Sequence, residues 1–230
     1  MIVLYTAAIG PRSKIGDLPF KPKQVSAVSF SFPLQSAKHW DSRTAVVNDC
    51  DLRRVARYYK ANPHKLFPEA DWWIWYDASL TPAYEPLDLL ESLESEGIEL
   101  CAFSHPRRTC AYEEAATAAG RREEVRLPRD HPAILAQQVQ SYAKEKFPTD
   151  YGLWENGFLI RKNTQKVRAF NDLWWKEICV GSREDQVSMP YAVWKIPGLT
   201  TSMLGPEKIH DSKYIVDTGH AGLPWEQYFL

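Results

Sequence analysis

Apolar runs and amphipathic stretches alternate through the first hundred residues, and helical spacing dominates after that. Residues 2–8 read as a first strand, and Gly10, Pro11 and Gly16 then mark a loop. Residues 25–32 alternate apolar with small residues, as a second strand would. Residues 33–48 are irregular, with a short strand expected at 45–47. Asp49 or Asp51 is placed to cap a helix over 52–60, which Pro63 stops. Residues 71–76 are the central strand. Apolar residues at 87, 89, 90 and 93 with Gly97 beyond them predict an amphipathic helix over 87–96, and 98–103 predict a further strand. Helices follow at 111–119, 132–147, 166–180 and 184–196. Between them, 151–161 read as a strand turning at Asn156-Gly157, and 199–204 as a late strand. The early strand–helix alternation means α/β, and the later part means a helical second half on one domain. Residues 1–104 form one half of that domain, and 105–230 the other, with a C-terminal tail.

Asp71-Trp72-Trp73-Ile74-Trp75-Tyr76-Asp77-Ala78-Ser79 is the most informative stretch. A buried strand ends abruptly in a carboxylate and a hydroxyl two positions apart. In open α/β sheets ligands sit at the carboxyl ends of strands. Asp77 and Ser79 are hard oxygen donors of the kind that hold Mg²⁺ or Mn²⁺ together with substrate phosphates. An ordinary Asp-containing turn fits the same residues.

Charge adds a gradient. The net charge is −1, which gives no bulk attraction for nucleic acid. Residues 1–60 hold 10 Lys/Arg against 4 Asp/Glu, whereas residues 61–104 hold 1 against 9. A basic segment beside an acidic one suits a metal-bridged anion, and a solvated charged surface gives the same counts. Arg53, Arg57 and Lys60 share one face of the 52–60 helix, where they suit a diphosphate or a solvated face. The four cysteines form no CxxC pair, so neither a zinc ribbon nor a thioredoxin motif is indicated. The first residues hold only a short apolar run with no basic segment before it. The expectation is a cytoplasmic protein without a membrane span.

Three further constellations carry chemistry. His105 and Arg108 follow the 98–103 strand, where Arg108 suits an anionic group and His105 a metal or a proton transfer; a helix-initiating loop is the alternative. Glu155 and Asn156 suit sugar hydroxyls and acid–base work, or else an Asn-Gly hairpin turn. Asp185 and Gln186 suit a cleft, or else Asp185 joins Ser182 in a capping box. We read Glu155 and Asp185 as catalytic.

The order of motifs carries more than any one of them. It runs Tyr5-Thr6-Ala7, Trp40-Asp41-Ser42-Arg43, Arg53-x3-Arg57-x2-Lys60, Pro63-His64-x2-Phe67-Pro68 and Trp75-Tyr76-Asp77-Ala78-Ser79. It continues through His105-Pro106-x-Arg108-x-Cys110, Glu155-Asn156-Gly157-x3-Arg161, Trp174-Trp175-x-Glu177 and Ser182-Arg183-x-Asp185-Gln186. This set, over roughly residues 1–195, resembles the glycosyltransferase-like family of plant mucilage-synthesis proteins and their bacterial relatives. The resemblance implies a single GT-A-like, Rossmann-type domain with a mixed central sheet flanked by helices. It implies transfer from a nucleoside-diphosphate sugar to a saccharide or other hydroxyl acceptor, with Mn²⁺ or Mg²⁺ near an Asp-x-Asp-like motif. Asp77-Ala78-Ser79 takes that motif's place, with Ser for the second Asp. Arg53, Arg57, Lys60, Asp77 and Ser79 would then serve the donor and its metal. His105, Arg108, Asn156, Arg161 and Gln186 would contact substrate. His220, in a segment similar to the late His-containing segment of glycogenin-like transferases, would be a third metal ligand. A metal-dependent hydrolase and a non-catalytic nucleotide or sugar binder are the rival readings, and a nucleic-acid base is the less favoured acceptor.

Overall fold

The computed structural model describes residues 1–120, 130–205 and 209–216. The chain opens with β1 (Ile2–Ile9), β2 (Val25–Phe32) and β3 (Asp41–Thr44), followed by helices α1 (Leu52–Ala61) and α2 (Pro63–Leu66). Then come β4 (Trp72–Tyr76), β5 (Thr81–Pro82), α3 (Leu87–Ser95) and β6 (Leu100–Ser104). The later part supplies α4 (Ala111–Gly120), α5 (Pro132–Lys144), β7 (Trp154–Lys162), α6 (Gln165–Val180), α7 (Asp185–Trp194), β8 (Thr201–Leu204) and β9 (Ile215–Val216).

Seven strands form one mixed sheet in the order β3-β2-β1-β4-β7-β6-β8, and β5 pairs with β9 apart from it. β1 to β4 are mutually parallel, β7 is antiparallel to both β4 and β6, and β8 runs parallel to β6. Within this sheet β7 alone is reversed. Its first residues therefore lie at the edge where the other strands end.

Both faces of the sheet are covered, which is why β4 is apolar throughout. Trp73 and Trp75 enter a core with Val55 and Tyr59 of α1, Phe170, Trp174 and Ile178 of α6, and Met189 of α7. Trp72, Ile74 and Tyr76 enter a second core with Leu89, Leu90 and Leu93 of α3. α1 starts where the Asp51 carboxylate accepts from the backbone N–H groups of Arg53 and Arg54. α6 starts where the Thr164 hydroxyl accepts from Val167 N.

Three sequence expectations change. The short strand lies at Asp41–Thr44, ahead of 45–47. No hairpin turns at Asn156-Gly157: both residues lie within β7, at a break in its register with β6 opposite Ala102 and Phe103. The Ser182 capping box is absent: α7 begins at Asp185, and the Ser182 hydroxyl donates to Asp130 while accepting from Glu184 N. Among the described residues no helix is long and apolar enough to cross a membrane.

Candidate active site

β4 delivers Asp77 to the carboxyl edge of the sheet. The Asp77 N–H donates to the Gly157 carbonyl at 2.8 Å, which ties the end of β4 to the start of β7. Trp75 and Asp77 lie on one face, two residues apart, and the Trp75 indole N–H donates to Asp77 Oδ1 at 2.7 Å. That contact leans the carboxylate toward α1.

Lys60, near the end of α1, meets it there. Its ammonium lies 3.1 Å from Asp77 Oδ1 and 2.6 Å from Asp185 Oδ2. Arg57, one turn earlier, places Nε 3.3 Å from Asp185 Oδ1. α1, β4 and α7 thus converge on two carboxylates and two cations. Lys60 is only 1% exposed and Asp185 4%. Burial alone would raise the Asp185 carboxyl, but Arg57 and Lys60 outweigh it and hold the group below its ordinary value. Burial likewise pulls the Arg57 guanidinium down, and Asp185 and then Asp77 more than restore it.

This cluster revises two expectations. Lys60 is too buried for direct contact with a diphosphate; its charge is spent on Asp77 and Asp185. Exposure falls from the exposed Arg53 through the half-buried Arg57 to Lys60, so the three cations do not form one open anion-binding face. Asp185 does not cap its own helix with the help of Ser182, since its carboxylate reaches α1 instead.

Asp77 keeps one side open. Its side chain is 33% exposed, and among the described residues Oδ2 carries no hydrogen bond. Gly157 faces it: a Cβ there would stand 3.8 Å from Oδ2, and close to Leu80 and Ile209. Beside it, Asn156 is 2% exposed, and among the described residues neither its amide oxygen nor its amide nitrogen has a hydrogen-bond partner. Buried amides are normally satisfied, so this one calls for a ligand group. Thr6, within β1, also buries a hydroxyl with no hydrogen-bond partner among the described residues.

The remaining candidates separate. Glu155 is half-buried, with Oε2 shielded from solvent. Gln186 donates from Nε2 to the Trp154 carbonyl at 3.2 Å, linking α7 to β7. Ser79 is exposed just beyond Asp77. His105 organises its own turn, accepting at Nδ1 from Arg107 N and Arg108 N. The Arg108 guanidinium is taken up by the buried Glu114 at 2.5 Å and by His105, so an ion pair within the fold replaces the expected anion contact. Arg161 is 0% exposed and has no surface to offer a substrate, a further correction. It bonds Tyr5, Lys60 and Asn171 instead. His220 lies outside the described residues.

Among the described residues no three His, Cys, Asp or Glu side chains gather to hold a metal. Asp77 Oδ2 and the Ser79 hydroxyl nevertheless fit the protein's part of a Mg²⁺- or Mn²⁺-type sphere, in which substrate phosphates and water supply the other oxygens.

The fold and site define an α/β domain whose ligand edge carries a buried acid–base cluster with one open carboxylate oxygen. Residues 43–212 match the model of the TOD1/MUCI70 glycosyltransferase-like domain, and the chain belongs to that family. It is 24% identical over 153 residues to the probable hexosyltransferase MUCI70 of Arabidopsis thaliana. That alignment takes in 65% of this chain and 26% of the relative, so the chain spans about a quarter of that protein's length. The apo structure of mouse xyloside xylosyltransferase 1 is similar with a TM-score of 0.48 at 9% identity, over 87% of this chain and 84% of that one.

Proposed function

We propose that this domain transfers a sugar from a nucleoside-diphosphate sugar to a hydroxyl acceptor with the help of Mn²⁺ or Mg²⁺. The observation that carries the reading is the Lys60-bridged pair of Asp77 and Asp185 at the ligand edge, with Asp77 Oδ2 left open. Arg57, Lys60, Asp77 and Asp185 balance one another in charge. They leave no surplus cation for a diphosphate, which favours a donor that arrives with its own divalent ion. Asp77 and Ser79 would hold that ion, and when bound it would act as a Lewis acid on the departing diphosphate.

The chain's own residues have separate tasks. Asn156 offers an amide donor and acceptor to hydroxyls of the donor sugar. Asp185, acidified by its cations, is a weak proton acceptor; it serves instead to hold Lys60 and Arg57 in place beside Asp77. Glu155 is then the carboxylate left for acid–base work at the acceptor.

Calorimetry with a panel of nucleoside diphosphates, with and without Mn²⁺, tests this together with donor turnover. The expected result is Mn²⁺-dependent binding and acceptor-dependent turnover, both lost in Asp77→Ala at a near-native melting temperature. Turnover indifferent to a chelator would overturn the metal's role. Donor cleavage without any acceptor would make the domain a hydrolase, and binding without turnover would make it a binder.

A further inference from the structure

Arg161 is a cation in the core with no opposite charge in contact among the described residues. It sits on β7 and is fully buried, and all its described hydrogen bonds go to neutral groups. Nη1 donates to Asn171 Oδ1 at 2.7 Å. Nη2 donates to the Tyr5 hydroxyl at 2.5 Å and to the Lys60 carbonyl at 2.7 Å. The Tyr5 hydroxyl donates to the same carbonyl at 3.1 Å. Nε has no partner. Burying a guanidinium on such terms is unfavourable, so packing alone does not explain it.

The direction of the bonds does. The Lys60 carbonyl is one of the last in α1, a helix end where carbonyls lack intrahelical donors and a cation is favoured. Arg161 binds that carbonyl from beneath, while the Lys60 side chain extends to Asp77 and Asp185. A second arm runs through Trp174. The guanidinium lies 6.0 Å from the Trp174 ring centroid, and the Trp174 indole N–H donates to the Asp185 carbonyl at 3.0 Å. One side chain therefore touches the supports of both the bridging ammonium and the carboxylate it bridges.

We propose that Arg161 is the positioning residue of this site, fixing the backbone of Lys60 directly and that of Asp185 through Trp174, so that one ammonium spans two carboxylates. The proposal deepens the transferase reading and rests on it for its kinetic arm only. The lysine's geometry is measurable without turnover.

The test uses Arg161→Lys, Arg161→Met and Tyr5→Phe, with Ile178→Val as a core control outside the network. Each is followed by melting temperature, by kcat and donor KM, and by the NMR signal of the Lys60 ammonium. The expected result is a fall in kcat of about 10- to 100-fold for Arg161→Met, with donor KM within about 3-fold of wild type. Arg161→Lys and Tyr5→Phe should fall less, and in all three the Lys60 signal should shift or broaden into fast exchange. Ile178→Val should lower the melting temperature while leaving kcat and the Lys60 signal in place. If Arg161→Met does not fold, Arg161→Lys and Tyr5→Phe carry the same comparison. An unmoved Lys60 signal, or kcat tracking melting temperature equally in all variants and the control, would overturn the proposal. A wild type with no turnover at all would sink the transferase reading, and the Lys60 signal would still decide the role of Arg161.

Discussion

Lys60 has exchanged nearly all its contact with water for two carboxylates. A buried ion pair adds little to stability over an apolar pair, but removing one member is expensive because the other stays buried and charged. Lys60→Met is expected to destabilise the fold by about 3–5 kcal/mol, and Lys60→Met combined with Asp185→Asn by clearly less than the sum of the two single changes. Denaturant unfolding of the four proteins measures this, and additive losses would show that the pair is not coupled. Spacing in the sequence already singled out Arg57, Lys60, Asp77 and Asp185. What it could not carry was that they pair with one another, because contacts between distant segments leave no local pattern. Trp75 was read only as core, although a tryptophan two positions before an aspartate on a strand shares its face and can donate to it. The misassignment of Arg161 as a substrate contact has the same origin: a cation held by a carbonyl and two neutral side chains resembles an exposed arginine when read along the chain.

The strands and helices were legible wherever periodicity is strong. β4, α3 and α6 fall within a residue or two of their expected limits. β7 is the instructive exception. Asn156-Gly157 is a strong turn signal, yet both residues lie within β7, at the irregularity where its pairing with β6 shifts register. The glycine serves close approach: a Cβ would stand 3.1 Å from Leu80 Cδ1 and 3.2 Å from Ile209 Cδ1, with Asp77 Oδ2 just beyond. Tertiary packing overrides the turn preference there. Gly157→Ala is accordingly expected to cost about 1–3 kcal/mol by overpacking and to weaken nucleoside-diphosphate binding by narrowing the space at Asp77. Unfolding and calorimetry on one variant separate the two effects, and a variant as stable and as tight as wild type would refute the crowding.

At the scale of the molecule, the ion cluster ties stability to acidity. The folded Asp185 carboxyl lies below its ordinary value, so its contribution is complete above the unfolded value of about 3.9. That contribution is lost as pH falls through the lowered folded value. Wild type is therefore expected to lose stability more steeply than Asp185→Asn as the pH drops below about 4. Acid titration at fixed denaturant measures the two slopes, and parallel curves would exclude Asp185 as a source. The same pair has a consequence during synthesis. Lys60 emerges from the ribosome with the first third of the chain, and Asp185 only with the last quarter. Until α7 arrives, closing α1 onto the sheet would bury an ammonium that lacks one of its two counter-charges. The carboxyl edge of the sheet thus receives its second carboxylate beside Lys60 only once α7 docks.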